Sequence, residues 1–88
     1  GRPLGTIHEE SVLPRFTERR RALGLSRDEI SRRARLAGAA IASATIGNLE
    51  LGNVVPRQHH AEAIAAGMGV PVHEVEDLLL GQRQVLEV

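Results

Sequence analysis

The chain contains no cysteine, no tryptophan and no tyrosine, and Phe16 is its single aromatic residue. Without cysteine, disulfides and thiolate metal sites are excluded, and a reducing, cytoplasmic location is the expectation. With one aromatic ring, the core has to be built from Ala, Leu, Ile and Val. At 88 residues and 42% hydrophobic, the chain is long enough for one domain with one modest core. No apolar run approaches the roughly 20 residues that span a bilayer as a helix, so no membrane partner is expected. No segment reads as a signal peptide, and Gly1 in place of Met suits a processed product, a tagged form or an excerpt. Internal repeats and low-complexity linkers are also lacking.

Lysine is absent too, so all eleven basic residues are arginine. They balance eleven acids to a net charge of zero, which by itself argues against a nucleic-acid partner. Their distribution argues the other way. Between Arg15 and Arg35 there are eight arginines against Glu18, Asp28 and Glu29, a local balance of +5, while residues 36–88 carry −4. One end of the molecule is a candidate anion-binding face; the alternative is an ordinary solvated helix surface. All-arginine, alanine-rich usage fits a GC-rich bacterial or phage genome.

Glycines, prolines and apolar spacing divide the chain into five short helices. Residues 1–10 have no helical period and read as an N-terminal arm. Gly1-Arg2-Pro3 would suit a minor groove, or else forms a loose end. Leu13, Phe16 and Leu23 mark one stripe of a helix over about 12–23, stopped by Gly24. Ser26-Arg27-Asp28-Glu29 is a capping box in which Ser26 takes the Glu29 N–H and Glu29 reaches back. It opens a second helix to about Arg35, with Ile30, Ser31 and Ala34 inward. Leu36–Ala42 either extends that helix or forms a long turn around Gly38. A third helix runs over about 43–50 and stops at Gly52-Asn53. Pro56 suits the first turn of a fourth, with Ala61, Ile64, Ala65 and Met68 inward and a break at Gly67–Gly69. Pro71 precedes a fifth that carries Val75, Leu78 and Leu79. The helical domain is thus 11–80, with 81–88 a C-terminal tail.

The third helix, TIGNLELG from Thr45 to Gly52, is unusual. Ile46 and Leu49 take one face, yet Gly47 costs about 1 kcal/mol relative to alanine in a helix interior. Ser43, Ala44, Thr45, Gly47 and Asn48 read as an outward surface of small or polar uncharged residues, where a solvated helix normally carries charge. Small residues allow close approach to base edges. Asn48 can bond adenine N7 and N6 at once, and Thr45 can meet a thymine methyl or a phosphate. An ordinary helix of low propensity is the alternative. Arg27 sits at the positive end of helix 2, a poor place for a cation unless an anion binds there too. Arg20 lies on the apolar stripe of helix 1 and needs a partner or an outlet to water.

The ordered set Phe16, Arg20, Gly24-Leu25-Ser26, Ile30-Ser31, Thr45-Ile46, Leu49-Glu50, Gly52, Pro56, Ile64-Ala65, Met68-Gly69-Val70 and Val75 resembles the lambda-repressor/Cro-like (XRE) helix-turn-helix family. The resemblance covers residues 13–80. It implies an all-α, compact five-helix DNA-binding domain, with helix 2 across the backbone of double-stranded DNA and helix 3 in the major groove. It further implies that Arg20 pairs with Glu50, clamping helix 3 onto helix 1. The sequence departs from the family in about five extra residues between Ala34 and Ile41, in Arg27 where glutamine is usual, and in Arg19 for a common leucine. The candidate DNA-binding residues are Arg27, Ser43, Ala44, Thr45, Gly47 and Asn48, with Asn53 and Arg57 beyond helix 3.

No cofactor, metal or catalytic role is expected. His59 and His60 are adjacent, so on a helix they should diverge, and no acidic or thiol partner has ligand spacing. No nucleophile elbow or phosphate-binding loop is present, so the protein is not expected to be an enzyme. The reading is a transcriptional regulator acting by occupancy as a repressor-type homodimer, joined through Leu78, Leu79, Leu80, Val85 and Leu86. The alternative is a protein-interaction module of the same fold, an antitoxin-like domain or a polymerase- or sigma-binding adaptor. The acidic C-terminal half favours that alternative.

Overall fold

A computed structural model describes residues 11–81. Among them the chain is all-α, with helices α1 (Pro14–Ala22), α2 (Arg27–Leu36), α3 (Ser43–Leu51), α4 (Gln58–Met68) and α5 (Val72–Glu76). A π-helical turn, Asp77–Gly81, extends α5. The expected arm at 1–10 lies outside the described residues, as does the tail from residue 82, including Val85 and Leu86.

Local chemistry explains most boundaries. Pro14 opens α1 at a position whose N–H would be unbonded in any case. Gly24 ends the α1 turn at φ +71°, and its N–H donates to the Arg21 carbonyl. The helix stops at Ala22, so Leu23 leaves the expected apolar stripe and is exposed. Ser26 Oγ accepts the Glu29 N–H at 3.0 Å, half of the expected box. Glu29 does not complete it; its carboxylate turns to the Arg32 and Arg33 guanidiniums. Those two arginines hold the Glu29 carboxyl below its ordinary pKa, Arg32 more strongly.

The ambiguous 36–42 stretch is a turn. α2 ends at Leu36, Gly38 takes φ +89°, and the Ala39 N–H returns to the Ala34 carbonyl at 2.8 Å. Half-buried Ser31 donates its hydroxyl to the Ile41 carbonyl at 2.7 Å, which fixes where α3 starts. Pro56 precedes α4 rather than entering its first turn: Arg57 is the N-cap and its N–H donates to His60 Nδ1 at 3.1 Å. α4 ends within the expected Gly67–Gly69 break: it runs to Met68 and stops at Gly69, φ +73°.

One apolar cluster joins the helices: Leu13 and Phe16, Ile30, Ile46 and Leu49, Ala61, Ile64, Ala65 and Met68, and Val75, Leu78 and Leu79. Phe16, Ile30, Ile46, Leu49, Ile64 and Leu79 are fully buried, each contributing roughly 1.5–3 kcal/mol. α4 lies so close to α2 that a Cβ on Gly67 would stand 2.4 Å from the Ile30 carbonyl oxygen. Leu78 and Leu79 complete this domain's own core and Leu80 packs half-buried against it, so those leucines are not a ready dimer surface. No described helix is long and apolar enough to cross a membrane.

Candidate nucleic-acid interface

Glu50, near the C-terminal end of α3, is 1% exposed and therefore needs countercharge. It has two partners. Arg20 of α1, itself 8% exposed, donates Nε to Oε2 at 2.9 Å and Nη2 to Oε1 at 3.4 Å. Arg20 also donates Nη1 to the Leu25 carbonyl at 3.0 Å. Arg27 of α2 donates Nε to Glu50 Oε1 at 2.9 Å, and its Nη2 donates to the same oxygen. The Glu50 main-chain carbonyl is held as well, by the Val12 N–H at 2.8 Å and the Ser11 hydroxyl at 3.1 Å. α3 is thus fastened to α1, to α2 and to the segment before α1 through one residue. Two guanidiniums on one carboxylate leave the cluster net positive.

The outward face of α3 is only partly the expected one. Ala44 is exposed, and Ser43, Thr45 and Asn48 are half-buried. Gly47 is buried, because the Arg27 side chain lies over it, so it does not belong to the outward surface. Leu51, unremarked in the sequence, is half-exposed and shares the face of Ala44 and Asn48. The signal was present: residues 44, 48 and 51 recur at helical spacing, opposite Ile46 and Leu49. Asn48 Oδ1 accepts from Asn53 Nδ2 at 3.4 Å, and its carbonyl accepts the Asn53 N–H at 2.8 Å. Asn53 therefore turns toward Asn48. Arg57, at the N-cap of α4, is exposed and lines neither groove beside α3.

Those two grooves meet at Ser43. One, of about 750 Å³, runs between α1, α2 and α3 and is lined by Arg20, Arg21, Arg27, Ser43, Ala44 and Glu50 among others. The second, about 370 Å³, holds Arg35, Ser31 and Ser43. Ala42 is the N-cap of α3 and has no side-chain acceptor, so no side chain caps the first-turn N–H groups. The groove on one side of the start of α3 thus carries Arg21 and Arg27 with the acidic Asp28, and the groove on the other side carries Arg35. Elsewhere the basic segment is largely neutralised. Arg19 pairs with Glu74 at 2.6 Å, and Arg32 and Arg33 pair with Glu29. Arg15, Arg21 and Arg35 form no ion pair among the described residues.

No group of three histidine or acidic side chains among the described residues is arranged to hold a metal ion. The His59 and His60 rings do not diverge as expected; their centroids are 4.2 Å apart and tilted 46°. His60 is buried, and burial first, then the neighbouring His59 and Arg57, lower its pKa from the ordinary 6.5. No family model, curated protein or solved structure matches the chain.

Proposed function

We propose that the chain is the sequence-specific, double-stranded DNA-binding domain of a transcriptional regulator, with a lambda-repressor-like helix-turn-helix fold and α3 in the major groove. One observation carries the reading: the start of α3 is uncapped and flanked by arginines on both sides, while its outward face bears Ala44, Thr45, Asn48 and Leu51 without a charge. Arginines position such a helix on phosphates; uncharged side chains can enter the groove and meet base edges. In this arrangement Asn48, steadied by Asn53, reads adenine, and Leu51 offers apolar contact. Occupancy of an operator, as a monomer or as a homodimer on paired half-sites, is the regulatory act.

Selection of bound duplexes from a random library supplies the preferred site and any half-site spacing. On that site Asn48→Ala is expected to cost about 1–3 kcal/mol, and much less on random DNA. Equal losses on both would remove Asn48 from base recognition.

A protein-interaction module is the second reading. It is favoured by exposed Leu51 and by exposed Val12, whose methyls stand against Gly52 at the same end of α3. Retention on heparin at moderate salt separates the two, since a pure protein adaptor elutes early.

A further inference from the structure

Gly47 has no part in an outward reading surface, yet it occupies the middle of α3. We infer that Gly47 and Glu50 form a seat for the Arg27 guanidinium, which α2 thereby presents beside α3 as a fixed, two-pronged donor to one DNA phosphate. The inference rests on the duplex-DNA reading above.

The seat has a floor and a clamp. An ideal Cβ on Gly47 would stand 3.7 Å from Arg27 Cδ and Nη1 and 3.8 Å from Cζ, so the guanidinium lies on the bare face of the α3 backbone. The clamp is Glu50, whose Oε1 takes both Nε and Nη2. A guanidinium has five N–H groups, arranged so that each edge matches two oxygens. Glu50 occupies one edge. The other, formed by Nη1 and the second Nη2 proton, meets no acceptor among the described residues, and the side chain is 43% exposed. The two non-bridging oxygens of a phosphodiester fit that edge. Arg20 already answers the Glu50 charge from below, so Arg27 keeps its attraction for an anion. Because the side chain is fixed before binding, its ordering is not charged to the complex. A guanine edge takes the same fork. The place of Arg27, at the start of α2 and off the outward face of α3, favours the backbone.

The test compares the wild type with Arg27→Ala, Gly47→Leu, Gly47→Ala and the Arg27→Ala/Gly47→Leu double variant, on the selected duplex and on random duplex across a salt series. Arg27→Ala should weaken both duplexes by a similar factor, about tenfold, for a charge-assisted contact. It should also reduce the salt slope by about 0.9, one phosphate's share. Leucine at 47 fills the seat and should reproduce both effects, with no further loss in the double variant. Alanine fits at ordinary contact distance and should keep the slope. A Gly47→Leu variant with an unchanged slope, or one whose loss adds fully to that of Arg27→Ala, overturns the seat. A loss confined to the selected duplex overturns the phosphate assignment in favour of guanine. If the wild type binds no duplex, the DNA reading fails with the phosphate contact. The seat is then judged by the Arg27 Nε–H resonance, slow to exchange in the wild type and Gly47→Ala and fast in Gly47→Leu.

Discussion

α4 buries seven of its eleven residues, and all but His60 are alanine, isoleucine, glycine or methionine. α3 buries Ile46, Gly47, Leu49 and Glu50, and one of these is a charge clasped by two arginines. The first helix is held by close apolar contact, with the Gly67 backbone against Ile30. The second is fixed by directional bonds that converge on one carboxylate. Apolar packing tolerates small slides, whereas a guanidinium–carboxylate fork fixes orientation. A helix that must present one chosen face to a partner is better served by the second method, at some cost in stability.

The charge clasp that sets α3 apart from α4 is lost most completely by substitution at Glu50. Glu50→Ala leaves buried Arg20 without its countercharge and should cost about 3 kcal/mol or more in chemical denaturation. Arg20→Met combined with Glu50→Leu should recover much of that loss. An unmoved melting midpoint for Glu50→Ala would mean that charge does not hold α3. The next effect belongs to the packed half. Gly67→Ala gains helix propensity, but its methyl collides with a backbone oxygen that cannot step aside, and overpacking of this kind costs about 1–3 kcal/mol. A gain in stability would show that α2 and α4 have room to part.

The smallest effect is a pH dependence at the start of α4. Neutral His60 accepts the Arg57 N–H through Nδ1, and its folded pKa lies below 6.5. As pH falls below about 6.5, the unfolded chain takes up this proton before the folded one does, so stability declines until the folded pKa is passed. His60→Gln retains an acceptor at the same position and should flatten this part of a stability–pH curve. An identical curve for the variant would assign the titration to other groups.

The helices were legible because their signals are local. Gly24, Gly52 and Gly69 mark stops, Ser26 marks a start, and Phe16, Ile30, Ile46 and Ile64 mark inward faces. The Arg20–Glu50 pair followed from a family resemblance and is present at bonding distance. The functions of the two special glycines were not legible. Gly67 read only as part of the Gly67–Gly69 break, and its close packing depends on an Ile30 carbonyl 37 positions earlier in the chain. Gly47 looked like an outward gap, and only the course of a side chain from α2 shows that Arg27 covers it. The charge count misled for a similar reason. A +5 segment suggests a broad basic surface, but ion pairs to Glu29, Glu50 and Glu74 leave Arg15, Arg21 and Arg35 as its unpaired members among the described residues. Long-range partners of this kind have no signature in spacing.

The most direct test of α3 as the reading element is a nuclear magnetic resonance titration of the whole chain with the selected duplex, following every backbone amide. The largest shifts are expected at Arg27, Ser43, Ala44, Thr45 and Asn48, with Ala63, Ile64 and Ala65 in the middle of α4 nearly still. Shifts centred on α4 and α5, or no shift at saturating duplex, would contradict a reading role for α3.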